Sequence, residues 1–403
     1  MDERRACFVP FRRLFRMAVV LSLSISLTLG VRGAVNDGFN DNVNRADPNF
    51  VTASLLLAGP GDELFSRAGH AFIRLECPEF KLDFCFSYES ESVQNRLLTF
   101  FSGKLKMGLF AIPTTEFLKT YTASGRGVRQ YKLNLLPDVK QRLWRLMDQK
   151  AAEGANLPYD YVARGCAWSV VNSLQEALKP VQMEVGPWPE KFEKSRREIA
   201  EIALKDYPWT RLFLQTFIGS ELDSLKSSLE KVVMPVDLTE FLKRARVYGT
   251  PIIAGEGSEL LPRTCSEERD IPISPVGLAC VLFGVALLYF TIGKMYVAGP
   301  LLILQLGLSA FMTYLVCFSR LPCTHWNWLI VPFNLLPLIF WKWRAKWALG
   351  FVLVLLAWEV FMLVSPHRLT DSAYLVLVPA YMLIYLRFSP RVVSIFSPKR
   401  TRL

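Results

Sequence analysis

Histidine is scarce in this sequence, with three residues in a chain of 403. Two of them, His325 and His367, lie in the strongly apolar C-terminal part, so His70 is the one candidate general base in the rest of the chain. Histidines, cysteines and carboxylates do not cluster at metal-ligand spacing, and no glycine-rich phosphate loop is present. The sequence therefore gives no reason to expect a metal or other cofactor.

Charged residues are also rare in one long region, from about Ser274 to Phe388, where apolar runs dominate. Hydrophobic residues make up 51% of the whole chain, which is too apolar for an ordinary soluble protein. Residues 36–270 have the mixed composition of a globular domain that can bury a core of its own. The chain therefore divides into a soluble half and a membrane half.

The N-terminus has the layout of a secretory signal, because five arginines precede the apolar run Met17 to Leu29. Val31-Arg32-Gly33 could serve as a cleavage site, so both a cleaved signal and a retained anchor are possible. In either case the next domain is exported. We expect a signal segment in residues 1–34, a periplasmic domain in 35–272, a transmembrane domain in 273–390 and a basic cytoplasmic tail in 391–403.

The apolar region contains five segments that could each cross a bilayer, at residues 276–292, 297–318, 328–341, 347–364 and 374–388. The third is short and carries two prolines. With the soluble domain outside, the loops placed inside are the basic ones, at Lys294, at residues 341–346 and in the C-terminal tail. This distribution explains the net charge of +11 and argues against a nucleic-acid partner.

Two separated stretches hold the residues of a candidate Cys–His pair. His70 begins an alternating strand that runs to Leu75, and Leu82 to Tyr88 alternates again, which predicts an antiparallel hairpin. Cys166 precedes apolar residues at helical spacing, so we expect it at a helix N-terminus. Backbone amides and the helix dipole at that position favour the thiolate and would lower the pKa of the thiol. Together the two residues could act as nucleophile and base.

Short motifs lie around this pair, at Gly61-Asp62-Glu63, Ser66 to His70, Arg74, Gly103-Lys104-Leu105, Tyr121, Gly125-Arg126, Tyr159 and Cys166. Together they resemble the Lnb N-terminal periplasmic domain of Bacteroides-type lipoprotein N-acyltransferases. The resemblance resumes in the membrane half at His325 to Trp328 and Pro332-Phe333-Asn334. In two places the sequence departs from the family: Gly165 stands where the family has Asn before the Cys, and Ser87 where it often has Asn on the strand after the His.

The resemblance implies an α+β, permuted papain-like fold of the NlpC and lecithin:retinol acyltransferase type, followed by an all-α bundle of about five transmembrane helices. It also implies a reaction in which a phospholipid donates an acyl chain to Cys166 and a lipoprotein's N-terminal amine accepts it. The location would be the bacterial inner membrane, with the catalytic domain facing the periplasm. A peptidoglycan amidase or endopeptidase of the same fold and a non-catalytic membrane scaffold or sensor are the alternatives.

The hairpin register decides which side chain orients His70. If Cys77 and Cys85 form a disulfide across the strands, Tyr88 or Ser90 could approach His70 and Ser87 would point away. If Ser87 replaces the family's Asn as the orienting group, the register shifts by one residue and the disulfide is absent. We favour Ser87.

Other residues are candidates for supporting roles, and each has a simpler structural explanation. Asp160 and Glu89 could orient His70, although carboxylates are commonly solvated at the surface. Polar groups at membrane margins are often functional, but they also cap helices. The candidates for substrate binding are Arg74, Arg126, Arg164, Tyr88, His325 and Asn327.

Overall fold

The computed structural model describes residues 47, 50–61, 66–90, 96–154, 157–159, 165–186, 194–223, 232, 234–264, 272–365 and 370–392. The signal segment, Asp160, Arg164 and residues 393–403 of the basic tail lie outside the described residues. By its internal contacts the chain forms two compact units, residues 1–47 and residues 48–403. Only Asp47 of the first unit is described, and the account below concerns the second.

An antiparallel sheet of seven strands carries the N-terminal half, in the order β10-β5-β1-β2-β3-β4-β6. Its central strands are buried on both faces, with Leu55, Leu56 and Ile73 fully inaccessible. A second sheet has the order β7-β8-β9. The strands are β1 Thr52–Ala58, β2 His70–Cys77, β3 Leu82–Ser90, β4 Lys106–Pro113, β5 Val128–Lys132, β6 Leu157–Pro158, β7 Glu184–Val185, β8 Ala245–Val247, β9 Thr250–Pro251 and β10 Ser258–Leu261.

The predicted hairpin is formed by β2 and β3, which are joined through a 3-10 turn at Pro78–Phe80. Phe72 lies opposite Ser87, and Cys77 lies opposite Leu82. Facing residues in an antiparallel pair share one side of the sheet, so Cys77 and Cys85 point to opposite sides. Both cysteines are buried free thiols. The hairpin therefore has the register that the Ser87 alternative requires.

Helices cover both faces of the large sheet. On the face of Phe72, helix α2 packs Phe117 and Tyr121 against that ring, with centroids 4.5 and 5.7 Å away. On the opposite face, the Tyr88 hydroxyl lies 2.7 Å from the Ser173 Oγ atom of helix α4. The helices of this half are α1 Leu97–Phe101, α2 Thr114–Ala123, α3 Pro137–Ala152, α4 Cys166–Leu178, α5 Arg196–Ala203, α6 Pro208–Phe217 and α7 Pro235–Arg244.

In the described part of the apolar region, three helices are long and apolar enough to cross a membrane, with spans at Pro275–Ile292, Met295–Cys317 and Trp341–Val364. A fourth apolar helix, Ser372–Phe388, is shorter. The helices of this half are α8 Pro275–Ile292, α9 Met295–Cys317, α10 Leu336–Ile339, α11 Arg344–Val364 and α12 Ser372–Phe388.

The third expected span, residues 328–341, is not a continuous helix, and this part of the prediction was wrong. It consists of a 3-10 turn at Trp328–Ile330, the single helical turn α10 and a 3-10 turn that begins at Trp341. Proline removes a helical hydrogen bond, and Pro332 and Pro337 both fall in the segment. The Asn334 side chain bonds the Val331 carbonyl and the Leu336 amide, which satisfies backbone groups where the helix is interrupted.

The interrupted segment still passes from one end of the bundle to the other. At one end, the Arg344 guanidinium stacks on the rings of Trp341 and Phe388, 5.1 and 5.6 Å from their centroids. At the other end, the Trp358 indole donates to the Trp328 carbonyl at 2.9 Å, and Arg211 of the N-terminal half pairs with Asp371. The interrupted segment therefore packs within the bundle alongside the four apolar helices.

The N-terminal half and the apolar bundle share one hydrophobic core. Phe101 of α1 packs on Phe217 of α6 and on Phe311 of α9, with ring centroids 5.6 and 5.0 Å apart. Phe100 and Phe217 are fully buried in the same cluster. The expected boundary near residue 272 separates two compositions, but packing is continuous across it.

Candidate active site

Gly69 fixes the point at which strand β2 and His70 begin. Its φ is +83°, a conformation that glycine adopts without the strain of a side chain. A Cβ atom built at this position would lie 2.8 Å from the Ala58 carbonyl oxygen, so the neighbouring strand also leaves no room for one. Ala58 faces His70 in the β1–β2 register, and Gly69 therefore allows the close strand contact that positions the imidazole.

The His70 imidazole is held from one side by Ser87. The Nε2 atom lies 2.7 Å from Ser87 Oγ, and Ser87 is fully buried. Ser87 in turn hydrogen bonds the Glu89 carboxylate, which is half-buried, and burial raises the pKa of that carboxyl. Glu89 is thus part of the site and not a solvated surface carboxylate. The three side chains form a row from the imidazole to a carboxylate.

When Glu89 is ionised, this row selects one tautomer of His70. An ionised carboxylate can only accept hydrogen bonds, so the single Ser87 hydroxyl proton then goes to Glu89. The Ser87 oxygen then accepts from His70, which places the imidazole proton on Nε2. We infer that the neutral ring carries its free lone pair on Nδ1, the nitrogen that is not bonded to Ser87.

Cys166 is the first residue of helix α4 and follows Gly165, as the sequence predicted. The backbone N–H groups of Ala71 and Ala167 lie near its sulfur and act to lower the pKa of the thiol. Ala71 directly follows His70, so the start of the helix and the start of strand β2 meet at the sulfur atom. Both Cys166 and His70 keep partial solvent exposure, which leaves the pair accessible from outside.

The electrostatic state of the pair differs from the one expected. Burial raises the pKa of the Cys166 thiol, and it outweighs the opposing effect of the backbone amides and of the positive charge of Arg126. The predicted lowering by the helix N-terminus was therefore wrong in its net direction. Burial, together with the Arg126 charge, lowers the pKa of His70 to about 4. At neutral pH the Cys166 thiol and the His70 imidazole are therefore both neutral.

Arg126 lies close enough to act on both members of the pair. Its Nε and Nη2 atoms donate to the Gly59 carbonyl at 2.9 and 2.8 Å, and its guanidinium stacks 5.0 Å from the Tyr121 ring centroid. Burial raises the pKa of the Tyr121 phenol, which stays neutral. The sequence had marked Arg126 for substrate binding, and its position beside the pair is compatible with that role.

Arg74 and Tyr88 are both engaged in contacts within the fold. The Arg74 guanidinium binds the Asp83 carboxylate through two hydrogen bonds of 2.9 and 2.8 Å, and it also pairs with Glu76 at 2.8 Å. Tyr88 points to the opposite face of the sheet, where its hydroxyl meets Ser173. The substrate-binding roles of both residues stay predictions.

The loop at residues 322–328 rests on the end of helix α6. The buried Asn327 side chain donates to the Thr216 carbonyl at 2.9 Å and accepts from the Leu329 amide at 3.0 Å. Both ends of its amide are thus used to hold backbone, and a substrate-handling role for Asn327 stays a prediction. The Gly219 amide donates to the Cys323 carbonyl at 2.6 Å, while His325 is exposed. Among the described contacts, none joins this loop to His70 or Cys166.

Cys166 thus opens a helix whose start meets strand β2, and His70 at the start of that strand is hydrogen bonded to Ser87. Residues 39–191, which contain both residues together with Ser87 and Glu89, match the family model of the Lnb N-terminal periplasmic domain. The match confirms, for that segment, the resemblance to the Lnb-type lipoprotein N-acyltransferases. No curated protein and no solved structure shows a significant match to the chain.

The name of the matching family and the apolar helices together fit a membrane protein with a periplasmic domain. Within the described ranges, no group of three or more His, Cys, Asp or Glu side chains is placed to hold a metal ion. The residues that the structure brings together around Cys166 and His70 are Ser87, Glu89 and Arg126.

Proposed function

We propose that this protein is a membrane-bound cysteine acyltransferase that moves an acyl chain from a phospholipid to the N-terminal amine of a bacterial lipoprotein. The observation that supports it best is the Cys166 sulfur, which lies near the backbone N–H group of Ala71, the residue after His70, in a segment that matches the Lnb periplasmic domain. The proposal includes a permuted papain-like topology for this segment, in which the histidine precedes the cysteine along the chain.

In the first half-reaction, His70 takes the proton of the Cys166 thiol through Nδ1, because Nε2 is engaged by Ser87. The sulfur attacks the carbonyl carbon of a phospholipid ester and forms a tetrahedral intermediate. The carbon–oxygen bond to glycerol then breaks, and the leaving alkoxide takes the proton from His70. The products are a thioester on Cys166 and a lysophospholipid.

In the second half-reaction, the neutral amine of the acceptor attacks the thioester carbonyl. His70 takes a proton from the attacking nitrogen and returns it to the departing sulfur, which restores the thiol. The product is an amide on the acceptor. Because the resting pair is neutral, the first half-reaction begins with proton transfer from the Cys166 thiol to His70, and the Arg126 charge stabilises the thiolate when it forms.

The apolar half has a direct place in this proposal, since both substrates are anchored in a bilayer. We place the protein in the bacterial inner membrane with five passes, the third of them interrupted, and with residues 35–272 in the periplasm. Lys294, Arg344 and Arg387 then lie on the cytoplasmic side, as the positive-inside rule requires. The exposed His325 lies on the periplasmic side, where it remains a candidate for contact with substrate.

Mass spectrometry of lipoprotein N-termini in cells with and without this protein tests the proposal. The expected result is an N-acylated terminal cysteine that depends on the protein and on Cys166. N-termini that are unchanged, together with altered peptidoglycan fragments, would instead support the amidase or endopeptidase alternative.

A further inference from the structure

Helix α1 lies against the side of the apolar helix α9, short of the point at which α9 ends. The ring centroids of Phe101 and Phe311 are 5.0 Å apart, and the Ser319 hydroxyl donates to the Phe101 carbonyl at 2.5 Å. Phe311 is six residues before Cys317, the last residue of α9, which corresponds to about 9 Å along the helix axis. Helix α1 is therefore held at a level that belongs to the apolar bundle.

The side of α9 that α1 contacts is exposed on both sides of the contact. Leu304, Phe311 and Phe318 recur at intervals of seven residues, close to two helical turns, so they lie along one side of the helix. Leu304 is 37% exposed and Phe318 is 70% exposed. Helix α9 is long and apolar enough to cross a membrane, and exposed apolar side chains on such a helix face lipid.

The outward side of α1 is apolar as well. Phe100 and Phe101 are buried in the shared core, whereas Leu98 is 81% exposed and Leu97 is 40% exposed. Single exposed leucines are common on protein surfaces. These two stand on a helix that is packed against the lipid-facing side of α9, so they extend the apolar surface of that helix.

Basic side chains follow this apolar surface on the side of the periplasmic domain. Lys104 precedes strand β4 and Lys106 begins it, and both are exposed. Arg320 is exposed directly after α9, and its amide donates to the Ser102 carbonyl at 3.3 Å, which joins it to the end of α1. Cations at the border of an apolar surface suit the phosphate groups of a phospholipid bilayer.

The attachment is at the end of the sheet that carries His70. His70 begins strand β2, which runs antiparallel to β3, so the start of β2 is beside the end of β3. Strand β4 in turn begins beside the end of β3, where Met107 pairs with Ser90. Because β4 starts shortly after α1, the His70 end of the sheet is the end nearest to α1 along the chain.

The chain that leads to Cys166 is tied to the same junction. The Tyr159 amide donates to the Leu105 carbonyl at 2.9 Å, and the Tyr159 ring centroid lies 6.0 Å from that of Phe100 in α1. Cys166 follows seven residues later. Both members of the pair therefore belong to segments at this end of the domain.

We propose that α1 lies in the periplasmic leaflet of the bilayer and holds the His70 end of the sheet against the lipid surface. Leu97 and Leu98 contact acyl chains, and the exposed cations of the junction contact phosphates. The inference rests on the proposed function, because that proposal places the apolar bundle across the membrane. It gives the soluble half a lipid contact of its own, at the end where a lipid ester has to meet the reacting residues.

Fluorescence quenching by lipid tests the inference in the full-length protein, reconstituted in vesicles of phosphatidylethanolamine and phosphatidylglycerol. A dansyl-alanine replaces Leu98, Phe318 or Leu136 in three separate preparations. Leu136 is the matched control for Leu98, since it is a leucine that is 50% exposed. The nearby Leu133 amide donates to the Ala53 carbonyl at 2.8 Å, which places this part of the chain at the opposite end of the sheet.

A nitroxide near the carboxyl end of the lipid acyl chains should lower the dansyl emission at positions 98 and 318 about twofold or more, because an interfacial helix buries its apolar face about 5 to 10 Å into the boundary between headgroups and acyl chains. Emission at position 136 should not change. Quenching at 318 without quenching at 98 would overturn the inference, as would equal quenching at 98 and 136.

The outcomes separate this inference from the proposed function. No quenching at position 318 would reject the placement of the bundle in the bilayer, and the inference with it. Quenching at 98 and 318 without any Cys166 thioester would reject the acyl transfer reaction and still support the membrane contact of α1.

Discussion

The Nε2 atom of His70 and the Oγ atom of Ser87 are 2.7 Å apart, across the hairpin that sets their register. This contact leaves Nδ1 as the nitrogen that can accept the thiol proton. Ser87→Ala should therefore lower kcat by roughly tenfold to a hundredfold, the usual scale for a general base that is no longer well oriented. The KM for the acceptor should stay the same, and circular dichroism should show an intact fold.

Glu89 should act as a positioning residue through Ser87. Glu89→Gln removes the charge that accepts the Ser87 proton, so it should reduce kcat, whereas Glu79→Gln at an exposed position should not. Since both residues act on one imidazole, the Ser87→Ala and Glu89→Gln double variant should be no slower than Ser87→Ala alone. Losses of kcat that multiply in the double variant would argue that Glu89 has a separate structural role.

The neutral resting pair predicts an unusual pH dependence. The lowered pKa of His70 means that the base loses function only as the pH falls towards about 4. The raised pKa of Cys166 means that alkylation by iodoacetamide should be slow at pH 7 and should accelerate only above the range of ordinary thiols. Rapid alkylation of Cys166 at pH 6 would show that the resting state is an ion pair.

A substitution of Arg126 tests the direction in which its charge shifts the pKa values of His70 and Cys166. Its charge lowers the pKa of both His70 and Cys166, so Arg126→Gln should raise both. The acid side of the pH–rate profile should move to higher pH, and the Cys166 thiol should lose its proton at higher pH. Arg246→Gln, at an exposed arginine remote in sequence, is the control and should shift neither.

Gly69→Ala tests whether the close strand contact positions the imidazole. The substitution combines a positive φ with a Cβ that collides with the Ala58 carbonyl, so it should cost about 1 to 3 kcal/mol of unfolding free energy and most of the activity. Gly154→Ala is the matched control, because its φ is also positive, at +74°, but a Cβ there would meet nothing within 4 Å. Thermal unfolding and acyl transfer should show a small loss of stability and full activity for the control.

Asp371 should couple the periplasmic half to the bundle. One carboxylate oxygen accepts from the Ala373 amide at 2.9 Å and caps helix α12, and the other meets Arg211 Nε at 3.0 Å. Asp371→Asn keeps the capping oxygen and should cost about 1 kcal/mol, whereas Asp371→Ala loses both contacts and should cost about 2 to 3 kcal/mol. Thermal inactivation of the purified protein measures the difference, and equal losses would mean that the cap contributes nothing.

Local patterns in the sequence were sufficient for the elements that carry the pair. The β2–β3 hairpin follows from alternation, and Cys166 at a helix start follows from apolar spacing after Gly165. The thiol's pKa could not be predicted in the same way, because desolvation depends on how much distant chain surrounds the sulfur. The expectation took account of the helix amides but not of this burial.

The contacts of Arg74 and Asn327 could not be predicted from the sequence for the same physical reason. Arg74 binds the Asp83 carboxylate, and Asn327 binds the Thr216 carbonyl. In both cases tertiary packing determines the partner, and the spacing of residues along the chain does not predict it. The interruption at residues 328–341 had a visible signal in its two prolines, although composition alone suggested a span. The row through Ser87 to Glu89 was visible in part, since both residues had been considered as partners of His70.

The central claim is that Cys166 carries the acyl chain between donor and acceptor. Purified protein incubated with a phospholipid of defined acyl chain should gain one acyl mass on the Cys166 peptide, labile to hydroxylamine. Addition of a lipopeptide with a free N-terminal cysteine amine should move that mass to the lipopeptide. His70→Ala should gain the mass far more slowly, and Cys166→Ala should not gain it at all. Acyl transfer to the lipopeptide by Cys166→Ala at the wild-type rate would contradict the account.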